Sequence, residues 1–332
     1  MNQRLVRLLS ALLFVCATAT SVRAQSGSAG EGALFLLLPV GAQAVSLGRA
    51  MTTVAGPESA FWNPAGLDGV TRSRFVLFRG DQVAGTATAL SVLLAGEGTG
   101  TLGASYLLLD AGEFDSTDEF GNITGQITVR NHLGVVSGAA TLVPGLSVGV
   151  SFKMIQFRLS CRGDCQDAGT TATTYAFDIG AQANPLARLR VGAMVAHVGP
   201  KLQVLNVEQA DPLPMRFRVA ASYDVIDLLT EREDFGGWVA VEVQDRLRDP
   251  GRPSLYMGTE FTAGAIDALS LRAGYVFADL LGKVEGSDPE DGARVGLGIR
   301  FERLDLSIAK SLAVSTVTGE TEPVHVSFSI GF

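Results

Sequence analysis

The sequence predicts an all-β chain that crosses a membrane as an antiparallel barrel, and three observations predict it. Charged residues make up only 18% of the 332, against about 25% in an ordinary soluble domain, and the mean hydropathy is +0.27. Beyond the first 24 residues, no apolar run approaches the roughly 20 residues that a membrane-crossing helix needs. The longest is 33–40, and Pro39 interrupts it. From Arg74 onward the chain instead becomes a series of segments of about ten residues with period-2 alternation, in which each strand shows one apolar face. The apolar excess is therefore spread over many short strands.

The chain opens on an export signal. Arg4 and Arg7 give a basic start, Leu8 to Ala19 is mostly apolar, and Val22-Arg23-Ala24 places small residues where a signal peptidase reads. Residues 1–24 are thus expected to be removed. Cys16 follows Phe14-Val15, which lacks the small residue that lipoprotein processing prefers. Residues 25–73 are rich in Gly and Ala, show no sustained alternation and form a segment of their own. Residues 74–332 are the expected barrel.

Its last strand is the clearest. Val324, Val326, Phe328, Ile330 and Phe332 alternate with His325, Ser327, Ser329 and Gly331. Phe332 closes an amphipathic strand of the kind barrel-assembly machinery recognises, so it is read as a membrane-assembly signal. The same alternation runs through Leu146–Met154, Tyr175–Ala181, Val295–Phe301 and Leu304–Ile308. Strands are expected at 74–80, 85–95, 99–109, 128–141, 145–159, 171–183, 188–198, 214–224, 235–245, 254–262, 269–278, 292–300, 302–311 and 323–332. Fourteen is an even number, as single-chain bacterial barrels have. Long joins (110–127, 160–170, 199–213, 279–291, 312–322) alternate with shorter ones, as outside loops alternate with periplasmic turns. This predicts an outer-membrane location with both termini periplasmic and lipid as the outer partner. The join near Gly80-Asp81 is short and breaks the pattern, and 226–229 is a candidate short helix within 225–234. Tyr106, Tyr175, Tyr223, Tyr256, Tyr275 and Trp238 lie in strand segments, where an interfacial belt or plain strand propensity would place them.

A net charge of -8 argues against nucleic acid, whose phosphates want a basic face. Gly145-Leu146-Ser147-Val148-Gly149 matches a hydrolase elbow, but that elbow needs a following helix, and here a strand follows. Gly98-Thr99-Gly100-Thr101-Leu102-Gly103 matches a dinucleotide fingerprint but also leads into a strand. His132, His197 and His325 have no carboxylate at metal-ligand spacing and read as lumen or loop residues. No enzyme, cofactor or metal site is expected. Cys161 and Cys165 can pair in an exported chain, closing a ring that presents Arg162 and Asp164. The acidic residues Asp110, Glu113, Asp115, Asp118 and Glu119, and Glu285, Asp288, Glu290 and Asp291, read as solvated loops. Alternation puts Lys153, Asp178, Arg216, Arg218, Glu242, Arg272, Arg294, Arg300 and Asp305 on the face away from lipid. They fit either a watery pore or salt-linked contacts to a plug.

The stretch from Gly41 to Ala50, followed by Ala60-Phe61-Trp62-Asn63-Pro64-Ala65-Gly66-Leu67, resembles the N-terminal signature of the PorV/PorQ family, which belongs with the FadL-type outer-membrane barrels. The resemblance extends through Leu146–Ile155, Pro214–Tyr223, Leu271–Tyr275 and the last strand. Gln43 stands where the family usually has Arg, and Leu47-Gly48-Arg49 where it has Met-Gly-Gly. The resemblance implies a fourteen-stranded barrel whose residues 25–73 fold inside as a hatch, with Trp62, Asn63, Pro64, Ala65 and Gly66 as the hatch motif. Asn63 before Pro64 is kept out of the helical region and its amide can close a turn. FadL-type kinship implies passage of small hydrophobic molecules. An alternative from PorV-type members is a type IX secretion role, with secreted proteins bound by loops 110–127 and 199–213.

Overall fold

A computed structural model of the chain describes residues 30–82, 84–96, 98–165, 169–204, 210–226, 234–264, 266–278, 291–313 and 323–332. The expected signal peptide, most of the 226–229 helix candidate, and Glu285, Asp288 and Glu290 lie outside these residues.

Fourteen strands form one closed antiparallel sheet. They are β1 (Arg74–Gln82), β2 (Gly85–Gly96), β3 (Gly100–Thr117), β4 (Ile123–Val143), β5 (Leu146–Gly163), β6 (Thr170–Leu186), β7 (Leu189–Val198), β8 (Arg216–Asp224), β9 (Phe235–Arg246), β10 (Ser254–Ala263), β11 (Ala268–Phe277), β12 (Gly292–Phe301), β13 (Leu304–Ser311) and β14 (His325–Gly331). Each strand pairs with its neighbour in sequence. β14 returns to β1 through Arg74↔Gly331 to Gly80↔His325, so the sheet has no open edge along its paired length. The all-β, fourteen-stranded expectation holds.

The expected loop 110–127 is corrected. β3 and β4 stay paired to Thr117↔Ile123, and only 118–122 is a turn. β5 likewise runs on through Cys161 to Gly163. These residues read as loops because they are polar and acidic, but inter-strand backbone bonds need no apolar face. With 18, 21, 18 and 17 residues, β3–β6 exceed the 7 to 12 residues of the other strands. They project beyond one rim. The joins at the opposite rim, where the chain ends, include the tight turns 144–145, 187–188 and 302–303. The β1–β2 join, 83–84, is short although it lies on the projecting rim.

The outer face is apolar. Leu77, Leu90, Leu102, Val136, Phe152, Ile179, Val219, Val241, Leu271, Ile299 and Ile308 are all exposed there. Tyr106, Tyr175, Tyr223 and Tyr275 join them, whereas Tyr256 is buried in the lumen and Trp238 faces inward to bond Glu260. A band of this kind on a closed barrel is a lipid-facing surface.

Most of residues 35–67 are buried against this sheet. A short helix, α1 (Ala42–Ser46), touches β11 to β14, and the 3-10 turn Pro64–Gly69 touches β3 to β6. A segment that reaches both sides of a closed sheet through its buried residues lies inside it. Ala44, Val45, Leu47, Met51 and Leu67 have no solvent exposure.

Candidate functional site

Three wall glycines let the segment lie close against the wall. A Cβ on Gly149 would stand 2.3 Å from the Pro64 carbonyl carbon, and one on Gly180 would stand 1.8 Å from Asn63 Oδ1. Across the lumen, a Cβ on Gly274 would stand 2.2 Å from the Gly48 nitrogen. These distances exclude any side chain larger than hydrogen unless the segment moves.

The Trp62–Gly66 motif is the centre of the contact. Asn63 Oδ1 accepts the Ala65 N–H at 3.1 Å, closing the turn locally. Its amide donates to the Thr52 carbonyl at 2.8 Å and to the Ala181 carbonyl of β6 at 3.3 Å. Trp62 Nε1–H donates to the Val40 carbonyl at 2.9 Å, so its one polar atom is satisfied. The Arg218 guanidinium lies 4.8 Å above the Trp62 ring and 5.8 Å from the Tyr256 ring. From the wall, Gln182 donates to the Thr52 and Val54 carbonyls, and Gln82 donates to that of Pro39 at 2.8 Å.

The lumen-facing charges fall into several separate groups. Arg218 pairs with Glu242 at 3.2 Å, and Glu242 accepts the Thr52 N–H at 2.8 Å. Lys153 Nζ sits 2.5 Å from Asp178 Oδ2 and 3.3 Å from His197 Nδ1, while the His197 backbone N–H donates to Asp178 Oδ1. Arg216 grips Glu31 through both nitrogens, at 2.8 and 2.7 Å. Arg272 pairs with Glu260, and Arg294 is buried against the Gly292 carbonyl. Arg300 and Asp305 pair near the chain-terminal rim, with Arg300 half-exposed, and Arg74 joins the same Asp305. Buried charges carry a large desolvation cost unless they are paired. Glu31 and Glu242 answer that cost by binding the N-terminal segment to the wall, while Lys153 and Asp178 answer it within the wall.

Glu31 and Glu58 are the groups that sequence reasoning missed. Burial raises the Glu31 carboxyl, but its Arg216 hydrogen bonds and charge, with Arg246 and Arg248 beyond, bring it below its ordinary value. Glu58 is buried and accepts the Gln43 and Ala44 N–H groups at 3.2 and 3.0 Å, capping α1. It also accepts the Ser327 hydroxyl of β14 at 2.7 Å, and Ser327 in turn accepts the Ala42 N–H. Burial pushes its carboxyl up against these three donors. The available signal was its isolation, since Arg49 and Glu58 are the charged residues between Gly32 and Leu67.

His132 is corrected: it stands on the outer face, bonded to the Tyr106 hydroxyl at 2.6 Å. His197 and His325 are inside and buried. Ser147, the elbow serine, donates to Asp68 from within β5. Cys161 and Cys165 are joined as a disulfide at the end of projecting β5. Phe332 is exposed, and its N–H donates to the Ser73 carbonyl.

Along the lumen axis the lining changes character. Toward the projecting rim, the side formed by the projecting strands is apolar: Phe35 packs with Leu107, Leu133, Ile155, Leu202 and Leu213, with Leu36, Leu38 and Phe157 against them. The space left between residues 35–40 and the wall is about 30 Å³, enough for a water or two. Toward the chain-terminal rim a cavity of about 450 Å³ is lined by Gln43, Thr53, Asn184, Arg190, Ser222 and Glu260 among others.

No family model and no curated protein matches the sequence. Solved structures do. The CymD monoaromatic hydrocarbon channel superposes with a TM-score of 0.56 at 13% identity, over 91% of this chain and 99% of that one. The Pseudomonas putida toluene transporter TodX gives 0.55 at 13% identity, over 87% and 96%. A Pseudomonas aeruginosa FadL homologue gives 0.51 at 10% identity, over 89% and 99%. At such identities the likeness concerns fold, and the chain has the fold of the FadL-like outer-membrane barrels.

Proposed function

We propose that the chain is a closed channel for small hydrophobic molecules, with residues 30–73 as its hatch. One observation carries this reading: the lumen is apolar where it opens toward the projecting strands and is stopped there by an apolar piece of the same chain. Alternation and register put Ile127, Val129, Phe157 and Leu159 on the inner face of the projection, continuous with the cluster around Phe35. The outer face of the same strands turns polar, through Gln126, Thr128, Arg130, Gln156 and Arg158. A pore for hydrated solutes gains nothing from that inversion. An apolar solute gains about 25 cal/mol for each Å² it removes from water.

In this reading the projection faces outward, the termini are periplasmic, and the cargo displaces Leu36 and Leu38 to reach the polar mouth. The fold shared with channels whose names specify toluene and monoaromatic hydrocarbons supports the cargo class. The PorV/PorQ reading rests on the sequence resemblance of Gly41–Ala50, Ala60–Leu67 and the strand segments that follow them.

The test is uptake of labelled toluene by cells whose outer membrane excludes it. Cells producing the chain should take it up faster and saturably. Rates equal to those of cells without it would remove the channel reading.

A further inference from the structure

Outside the lumen, the outer face of β3–β6 carries an arrangement that packing within the chain does not account for. Register sorts it into rows. Tyr106, Gly134, Met154 and Tyr175 lie side by side across the four strands, and they end the apolar belt on this side. The next row toward the projecting rim is Leu108, His132, Gln156 and Thr173. The row after that is Asp110, Arg130, Arg158 and Thr171. Arg130 and Arg158 are therefore direct cross-strand partners, both exposed and both on the outer face.

Like charges directly opposite each other destabilise a sheet. Asp110 accepts from Arg130 Nε at 2.9 Å, which leaves one carboxylate for two guanidiniums. Among the described residues, Arg158 has no carboxylate within ion-pair distance. Gln156, Thr171 and Thr173 add neutral donors on the same face. The row stands four residues beyond the tyrosines, about 13 Å along the strands at the usual rise, and arginine stems reach back over such a surface. This is the level at which headgroups meet an aromatic belt.

We infer that Arg130 and Arg158 form a binding site for the phosphate of a lipid headgroup in the surrounding leaflet. The planar guanidinium forks match phosphate oxygens, and a shared phosphate turns the repulsive pair into a bridged one. The site depends on the barrel lying in a membrane and not on what passes through it.

The test uses the full refolded, delipidated barrel in detergent. Native mass spectrometry would read binding of bisphosphorylated lipid A, of its dephosphorylated form, and of inorganic phosphate. The phosphorylated lipid should bind, and the dephosphorylated form should not. Inorganic phosphate should bind far more weakly than the lipid. R130Q/R158Q should weaken lipid binding at least about tenfold, as loss of charge-assisted bonds does. Asp110→Asn, which frees Arg130, should strengthen it, a direction that misfolding would not produce. Both variants should keep the heat-dependent gel shift of a folded barrel. Equal binding by wild type and R130Q/R158Q would overturn the site. So would equal binding of the dephosphorylated lipid, while free phosphate binding as tightly as the lipid would identify a plain anion site instead.

Discussion

Glu58 shows how one residue can tie the N-terminal segment together. Its carboxylate caps α1, and it accepts the hydroxyl of Ser327 on the adjoining strand β14 at 2.7 Å. Burial is the largest influence on it and raises its value above the ordinary 4.5. Between 4.5 and the raised value, the folded chain keeps a proton that the unfolded chain has lost. Stability is therefore fully present below 4.5 and falls as pH rises through that interval. Glu58→Gln removes the titration. Urea midpoints followed by tryptophan fluorescence should decline with rising pH above 4.5 in the wild type and stay flat in this variant. Trp62 makes the signal local, because its ring packs beneath Arg218. A parallel decline in both proteins would show that Glu58 is not the group responsible.

At the scale of elements, the segment is held by close approach as much as by charge. Gly149→Val and Gly274→Val each place a side chain where the backbones of Pro64 and Gly48 now stand. Overpacking of this kind typically costs about 1–3 kcal/mol, and here the segment is the part able to move. Each variant should keep its barrel, by gel shift, yet show raised ion conductance in planar bilayers. Unchanged conductance would mean that the contact does not seal the lumen. The sequence made the strands legible because lipid on one side enforces period-2 alternation from Arg74 to Phe332. The extensions of β3–β6 were hidden where that constraint stops: beyond the membrane the outer face need not be apolar, and Glu113 and Asp115 look like any acidic loop. The inward charges were legible from the same alternation, but their partners were not. Glu242 meets Thr52, and Arg216 meets Glu31, across 190 and 185 residues, and no local pattern encodes such distances. The tyrosines split for a related reason, since Tyr256 has the parity of Glu242 opposite it in register and so turns inward.

At the scale of the whole molecule, the barrel has two different ends. One carries the projecting strands, whose inner side packs on Phe35, Leu36 and Leu38. The other is a polar mouth of about 450 Å³. On the segment between them, Glu31 and Glu58 bond to Arg216 and Ser327 of the wall, and in the proposed channel an apolar guest would compete with the Phe35 packing. If cargo enters along the inner face of the projection, a charge placed there should block it. Phe157→Asp is the direct case, because Phe157 is only partly buried and packs on the edge of the Phe35 cluster. Toluene uptake by cells producing this variant should fall at least about tenfold, consistent with an apolar path made to accept a carboxylate, at unchanged amounts of folded protein in the outer membrane. Uptake equal to that of the wild type would contradict an apolar route through the lumen.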